Sequence, residues 1–204
     1  MTARVVLATR NAGKIAELRR ILSSYFAEPG GIDLVGLDAF PDLADVVEDG
    51  ATFVDNAMLK ARVVAQATGL VAIADDSGLT VDALNGMPGI LSARWSGRHG
   101  DDAANLDLVL AQLADIPDER RGAAFVCAAA AVAPDGRVVV TEEELVGTLL
   151  RERRGSNGFG YDPVFVPLGE TRTTAEMSAE EKDAISHRGK AFRALAPKLA
   201  DLVA

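Results

Sequence analysis

The stretch Val71-Ala72-Ile73-Ala74-Asp75-Asp76-Ser77-Gly78-Leu79 puts two carboxylates and a hydroxyl at the end of a short apolar run. The run reads as a buried strand, and carboxylates are costly to desolvate without a partner. An acidic pair in such a place suits a hard cation, or a proton that has to be moved. The same residues are also good turn formers, because Asp and Ser bond their own backbone and Gly accepts positive φ. The expectation is a turn at Asp75-Asp76-Ser77-Gly78, followed by a further strand over residues 79–84.

Three other segments carry chemistry. Thr9-Arg10-Asn11-Ala12-Gly13-Lys14 joins a strand, Arg4 to Ala8, to a helix whose apolar positions are Ile15, Leu18, Ile21 and Leu22. Amides at a helix N-terminus beside a lysine form a natural phosphate cradle. This is not a Walker A loop, since Ala8 stands where its first Gly would be and Ile15 where a metal-binding Ser or Thr would be. A polar loop with a solvated lysine accounts for the same residues equally well. In Gly155-Ser156-Asn157-Gly158-Phe159-Gly160-Tyr161-Asp162-Pro163, glycines around an aromatic residue let backbone approach a ligand and leave the Phe159 ring free to stack, with no side chain to shield it. Ser186-His187-Arg188-Gly189-Lys190-Ala191 gathers donors where a helical stretch is interrupted.

The elements that position these segments follow from periodicity and caps. Residues 32–37 form a second strand, and an acidic patch at Asp45-Val46-Val47-Glu48-Asp49-Gly50 follows. Thr52 and Asp55 make a capping box for a helix ending at Gly69, with Phe53, Ala57, Ala61 and Val64 as its buried stripe. Asn56 and Lys60 share a face beside that stripe, so Lys60 can lean from a rigid element into a site. Trp95 anchors a loop, and Asp101 or Asp102 caps a helix with Leu106, Val109, Leu110 and Leu113 inward. The apolar run from Ala123 to Ala133 fits helix or strand, but Pro134-Asp135-Gly136 before Val138-Val139-Val140 favours a hairpin, and so a mixed sheet. Glu142-Glu143-Glu144 reads as a solvated edge. Ser178 and Glu181 box a last helical stretch that runs to the C-terminus, with Pro197 as a kink.

Bulk properties narrow the field. A chain of 204 residues is one domain, or one domain with two lobes, and is long enough for a substantial core. With 21 basic and 30 acidic residues the net charge is −9, which argues against nucleic acid as a partner. The N-terminal apolar run is too short for a secretory signal, and no segment approaches a membrane span, so the expected location is cytoplasmic. A single cysteine, Cys127, and only two histidines, His99 and His187, exclude an intrachain disulfide and a multi-histidine zinc centre.

Taken in order, Thr9 to Lys14, Asp75-Asp76-Ser77-Gly78, Phe159-Gly160-Tyr161-Asp162-Pro163 and Ser186 to Ala191 resemble the motifs of the inosine triphosphate pyrophosphatases, the HAM1-like family. Thr52 to Ala61 resembles that family's first long helix, and the likeness covers nearly the whole length. The resemblance implies a single domain over residues 1–204. Its fold would be elongated, two-lobed α/β, with a central mixed sheet flanked by helices and an active-site cleft between the lobes. It implies a homodimer, Mg²⁺ as cofactor, and hydrolysis of ITP, dITP and XTP to the monophosphate and pyrophosphate, which clears deaminated purines from the nucleotide pool.

The resemblance also distributes roles. Asp76 would accept the proton of the attacking water, and Asp76, Asp75 and Glu48 would hold the metal, with Asp49 as the rival to Glu48. Thr9, Arg10, Asn11, Ala12, Gly13, Lys14 and Lys60 would contact the nucleotide at its phosphate end. Phe159 would stack on the purine, with Gly160, Tyr161 and Asp162 of the same loop contacting the nucleotide, His187 and Arg188 would donate to O6, and Lys182 and Ser77 would complete the nucleotide contacts. A pyrophosphatase for modified pyrimidine nucleotides and a nucleotide-binding regulator without turnover are the alternatives.

Overall fold

Val5-Val6-Leu7 has no polar alternation, the pattern of a strand covered on both faces, and all three side chains are fully buried. The computed structural model describes residues 3–26 and 32–203. Its sheet is mixed and six-stranded, made of β1 (Ala3–Leu7), β2 (Ile32–Gly36), β3 (Val71–Val81), β4 (Gly122–Val132), β5 (Val138–Leu149) and β6 (Phe165–Pro167). The spatial order is β2-β1-β3-β4-β5-β6. β1 pairs in parallel with β2 and with β3, while β5 and β6 are antiparallel. Five α-helices accompany it: α1 (Ala12–Phe26), α2 (Phe53–Thr68), α3 (Asp102–Gln112), α4 (Ala179–Ile185) and α5 (His187–Val203).

The expected turn at Asp75-Asp76-Ser77-Gly78 is absent. β3 runs unbroken for 11 residues through both aspartates, and residues 82–84 form a 3₁₀ turn instead of strand. Turn propensity is a local preference, and β3 is hydrogen-bonded between β1 and β4. β1 pairs with β3 at residues 71–73 and β4 lies along its other edge, and hydrogen bonds to a neighbouring strand take up backbone groups that an Asp or Ser side chain would otherwise have bonded. The run after residue 122 is strand, as the hairpin signal indicates, and Gly136 closes its turn at φ 92°. Glu142 and Glu144 are exposed on β5, beyond the three residues that pair with β6.

The chain divides into two compact units. The first comprises residues 1–76, 127–143 and 188–204. Its core is built from Val5 and Leu7 of β1, Val71 and Ile73 of β3, and alternate residues Cys127, Ala129 and Ala131 of β4. Leu18, Ile21 and Leu22 of α1 and Phe192, Leu195 and Leu199 of α5 cover them. The small side chains on β4 set how closely those helices approach. α2 begins at the expected capping box, Thr52 with Asp55, and ends at Gly69 in the left-handed conformation. Thr52→Ala should cost about 1 kcal/mol of stability, since one N-cap acceptor is lost. A drop of roughly 2–4 °C in Tm would register it.

The second unit comprises residues 77–126 and 144–187. Leu79, Val81, Leu106, Val109, Leu113, Phe125, Leu149 and Phe165 form its core, and Trp95 packs against it as expected of a loop anchor. Arg121, at 2% exposure, donates to the carbonyls of Leu113, Leu149 and Leu150. A guanidinium that meets three carbonyls in a fixed fork ties α3 to the end of β5.

Candidate active site

Neighbouring residues on a strand point to opposite faces, so Asp75 and Asp76 enter different surroundings. Asp75 shares its face with Val71 and Ile73, the face covered by α1 and α5. There Lys14 Nζ lies 2.9 Å from its Oδ2, and Arg188 Nε donates to the same oxygen at 3.3 Å. Arg188 Nη1 also donates to Glu17 of α1. Burial alone would push the Asp75 carboxyl up, but Lys14, Arg188 and Lys60 outweigh it and hold the group well below the usual carboxylate range. Burial works against the Arg188 charge, yet Asp75 and Glu17 more than offset it and raise its pKa. Asp75 is a fixed anion.

Asp76 faces the other way, toward α2. Asn56 Nδ2 donates to Asp76 Oδ2 at 2.9 Å, and Lys60 Nζ stands 3.8 Å from Oδ1 and 2.9 Å from Glu48 Oε1. The face predicted for Asn56 and Lys60 is therefore the one that meets the carboxylates. Burial raises the Asp76 pKa, and Lys60 and Asn56 only partly counter it. For Lys60, burial is overcome by Asp75, Asp76 and Glu48, so its pKa is raised. Two adjacent aspartates thus differ in sign of perturbation, Asp75 held as an anion by its cations and Asp76 raised by burial. Asp76 is the better proton acceptor. Glu48 is the acidic-patch residue that meets Lys60, whereas Asp49 is exposed.

Because the two aspartates diverge, they do not form a ready chelate. Among the described residues no three acidic, histidine or cysteine side chains gather into a metal cage.

The loop of residues 9–14 is shaped by its own polar side chains. Asn11 Oδ1 accepts from Lys14 N at 3.0 Å and so caps α1, while Thr9 Oγ1 accepts from Asn11 N at 3.2 Å. Arg10 donates to Asp45 Oδ1 at 2.8 Å and to the Leu43 carbonyl at 2.6 Å, which secures the loop before Glu48. Gly13 is exposed. Ala12 opens α1, and its side chain lies outside the described residues.

In the second unit, Phe159 is half-buried, and Lys182 Nζ lies 5.1 Å from its ring centroid. The expectation of an unshielded ring is corrected by that cation–π contact, which a reading of the glycine loop alone has no means to place. Asp162 supports both partners: its Oδ2 accepts from Phe159 N at 2.9 Å and from Lys182 Nζ at 2.6 Å. Gly160 N donates to Asp102 at the start of α3. Tyr161 is buried, and its hydroxyl donates to the Ser92 carbonyl at 2.9 Å, so burial raises its pKa. His187 stacks on Phe125 with centroids 4.9 Å apart and planes 14° from parallel. Ser77 is half-buried on β3.

Sequence reasoning leaves three side chains that meet these residues without a role. Asn56 is wholly buried, and an amide beside an apolar helical stripe is the only signal of it in the sequence. Glu17 follows Lys14 by three residues, which places both on one side of α1. Asp102 reads from the sequence only as a helix cap; nothing local connects it to Gly160, 58 residues away.

Lysines from two helices set on divergent carboxylates of a central strand, beside a helix-opening loop, mark an α/β protein of the phosphate-handling type. The chain belongs to the Ham1 family, whose profile matches residues 5–198. A Streptomyces coelicolor protein named dITP/XTP pyrophosphatase is 63% identical over 202 residues, covering 98% of each chain. The crystal structure of a nucleoside-triphosphatase / dITP/XTP pyrophosphatase from Mycobacterium abscessus is 59% identical. It matches 95% of this chain and 99% of its own, with a TM-score of 0.77. A HAM1 protein from Coxiella burnetii is 40% identical over 98% of this chain and 100% of its own, with a TM-score of 0.87.

Proposed function

We propose that this protein hydrolyses dITP, XTP and ITP to the monophosphate and pyrophosphate, as a house-cleaning enzyme of the cytoplasmic nucleotide pool. The observation that carries this reading is the division of labour on β3, where Asp75 and Asp76 draw Lys14 and Lys60 from two different helices. An acidic protein holds a triphosphate of about four negative charges only through local cations. The substrate class comes from relatives at 63% and 59% identity that carry the names of dITP/XTP pyrophosphatases.

In the proposed reaction water attacks the α-phosphorus, the bond from that phosphorus to the bridging oxygen breaks, and pyrophosphate leaves. Asp76 takes the proton of the attacking water, a role suited to its raised pKa. Lys14, Lys60 and the amides of residues 9–14 bind the phosphates and stabilise charge on the leaving group. Mg²⁺ is the proposed cofactor. Glu48 and Asp76, which meet at Lys60, are hard oxygen donors that would fit it, with Asp75, on the other face of β3, the third ligand the resemblance implies, and Mg²⁺ commonly takes one or two carboxylates together with substrate phosphates. When bound, the ion neutralises phosphate charge and polarises the reacting centre.

Phe159 is the proposed stacking platform for the purine, and His187 and Arg188 the proposed donors to O6, as the family resemblance implies. Adenine would set donor against donor there, a mismatch worth roughly 10⁴ in discrimination. A homodimer is proposed on the same resemblance, and light scattering should return twice the 21.4 kDa chain mass.

The direct test is pyrophosphate release with Mg²⁺ from dITP, XTP and ITP, set against dATP, GTP and dUTP. Preference for the deaminated purines is expected; a pyrimidine preference, or binding without turnover, would refute the proposal. Lys14→Ala should raise KM by about tenfold or more, because one cation leaves the phosphate end. An unchanged KM and kcat would remove the residue 9–14 loop from the phosphate site.

A further inference from the structure

The two groups that stand on α2 opposite β3 are Lys60 and, one turn earlier, Asn56. Asn56 has no exposed surface, and both ends of its amide are engaged. Oδ1 accepts from Gly50 N at 2.8 Å, and Nδ2 donates to Asp76 Oδ2 at 2.9 Å. The orientation of the amide is settled by its partners, since an N–H requires an acceptor and a carboxylate requires a donor. Glu48 lies two residues before Gly50 and meets Lys60. One helix therefore holds the loop of residues 48–50 and the Asp76 carboxylate by two parallel bridges.

We propose that Asn56 is a positioning residue for the hydrolytic reaction, fixing the Asp76 carboxylate and registering the Glu48 loop against it. The inference rests on the function proposed above. The chemistry admits few substitutes. Aspartate keeps an acceptor for Gly50 but sets a second carboxylate against Asp76, and two such groups do not both ionise. Serine is too short to span both partners. An asparagine that served packing alone would satisfy itself on backbone; this one spends its donor on the carboxylate that takes the proton.

Gly50 is the matching half of the device. A Cβ there would lie 2.7 Å from Asn56 Oδ1 and 2.7 Å from the Asp55 Cβ. No side chain enters without moving the loop off the amide, since the obstructing atoms are the Cβ of Asp55 in the capped first turn and the amide of the wholly buried Asn56. Gly50 and Asn56 thus separate the two ends of the bridge experimentally: Gly50→Ala disturbs the loop and leaves the Asp76 contact, whereas Asn56→Asp keeps the loop acceptor and reverses the Asp76 contact.

The test compares Asn56→Asp, Asn56→Ala and Gly50→Ala with the parent protein, using dITP and Mg²⁺ with thermal melting in parallel. Misplacement of a reacting group by about 1 Å is worth on the order of 10²-fold in rate. kcat should fall about 100-fold or more in Asn56→Asp and about tenfold in Gly50→Ala, with KM within about threefold of the parent in both. A packing role would instead lower Tm and leave kcat near the parent value. Folded Asn56 variants with parental kcat would overturn the proposal. Should neither Asn56 variant accumulate as folded protein, parental kcat in Gly50→Ala overturns it. A crystal structure of Asn56→Ala supplies a readout free of turnover: the Asp76 carboxylate and Glu48 should both shift by about 1 Å, and unmoved groups would overturn the proposal even if the parent protein hydrolyses none of these nucleotides. Inactivity of the parent by itself refutes only the proposed function.

Discussion

Asp76→Asn should abolish turnover, by about 10³-fold or more in kcat, and yet leave a chain that melts at a higher temperature than the parent. Burial raises the Asp76 pKa in the folded protein. A carboxyl whose folded pKa is raised contributes stability below its unfolded pKa, and that contribution is lost as pH rises through the folded value. At neutral pH the charge is therefore held at a cost to the fold. A neutral amide of the same shape relieves it while still offering an oxygen to Asn56 Nδ2. Asp75→Asn should act in the opposite sense. Lys14 and Arg188 depress that pKa, so Asp75 contributes stability above its unfolded value that disappears only as pH falls through the folded one. Removing the charge leaves a buried Arg188 and a part-buried Lys14 facing an amide, a loss of about 3–5 kcal/mol and on the order of 10 °C in Tm. Melting both variants without metal at pH 7, beside a pyrophosphate-release assay, decides the matter. A lowered Tm in Asp76→Asn, or an unchanged one in Asp75→Asn, would show that the two neighbours do not divide catalysis and structure between them.

How much of this is legible in the sequence depends on the range of the interaction concerned. Caps and stripes are local, so Thr52 with Asp55, Ser178 with Glu181 and the inward face of α2 are all readable, and the structure has each of them. The hairpin after residue 132 is readable because Pro134-Asp135-Gly136 is punctuation. The course of the chain through Asp75-Asp76-Ser77-Gly78 is not, because four turn-forming residues outvote a strand until sheet neighbours are known. That error hid the central geometric fact, since a turn would present both carboxylates together and a strand parts them. The motif order identified which residues matter. It gave no account of Asn56, Glu17 or Asp102, whose partners lie 20, 171 and 58 residues away. Such contacts are set by packing, and the single-residue signals they leave, such as an amide beside an apolar stripe, are weak.

The second unit offers the other large effect, in a pair of variants that should part stability from recognition. Asp162 is 2% exposed and accepts from Phe159 N, Lys182 Nζ and Thr174 Oγ1. Asp162→Ala takes the carboxylate from beside a lysine that is itself 7% exposed. Breaking a buried ion pair from one side costs about 3–5 kcal/mol, so Tm should fall by on the order of 10 °C. KM for dITP should rise as well, because the backbone of Phe159 loses its anchor. Phe159→Ala keeps the Asp162–Lys182 pair and removes only a half-buried ring. Loss of a base–aromatic stack is worth about 1–3 kcal/mol, which is roughly 5- to 150-fold in KM. Its Tm should stay close to that of the parent. The two readouts therefore move together in Asp162→Ala and separately in Phe159→Ala. A parental KM in Phe159→Ala would mean that the ring does not meet the base, and Lys182, 5.1 Å from its centroid, would then hold it for packing alone.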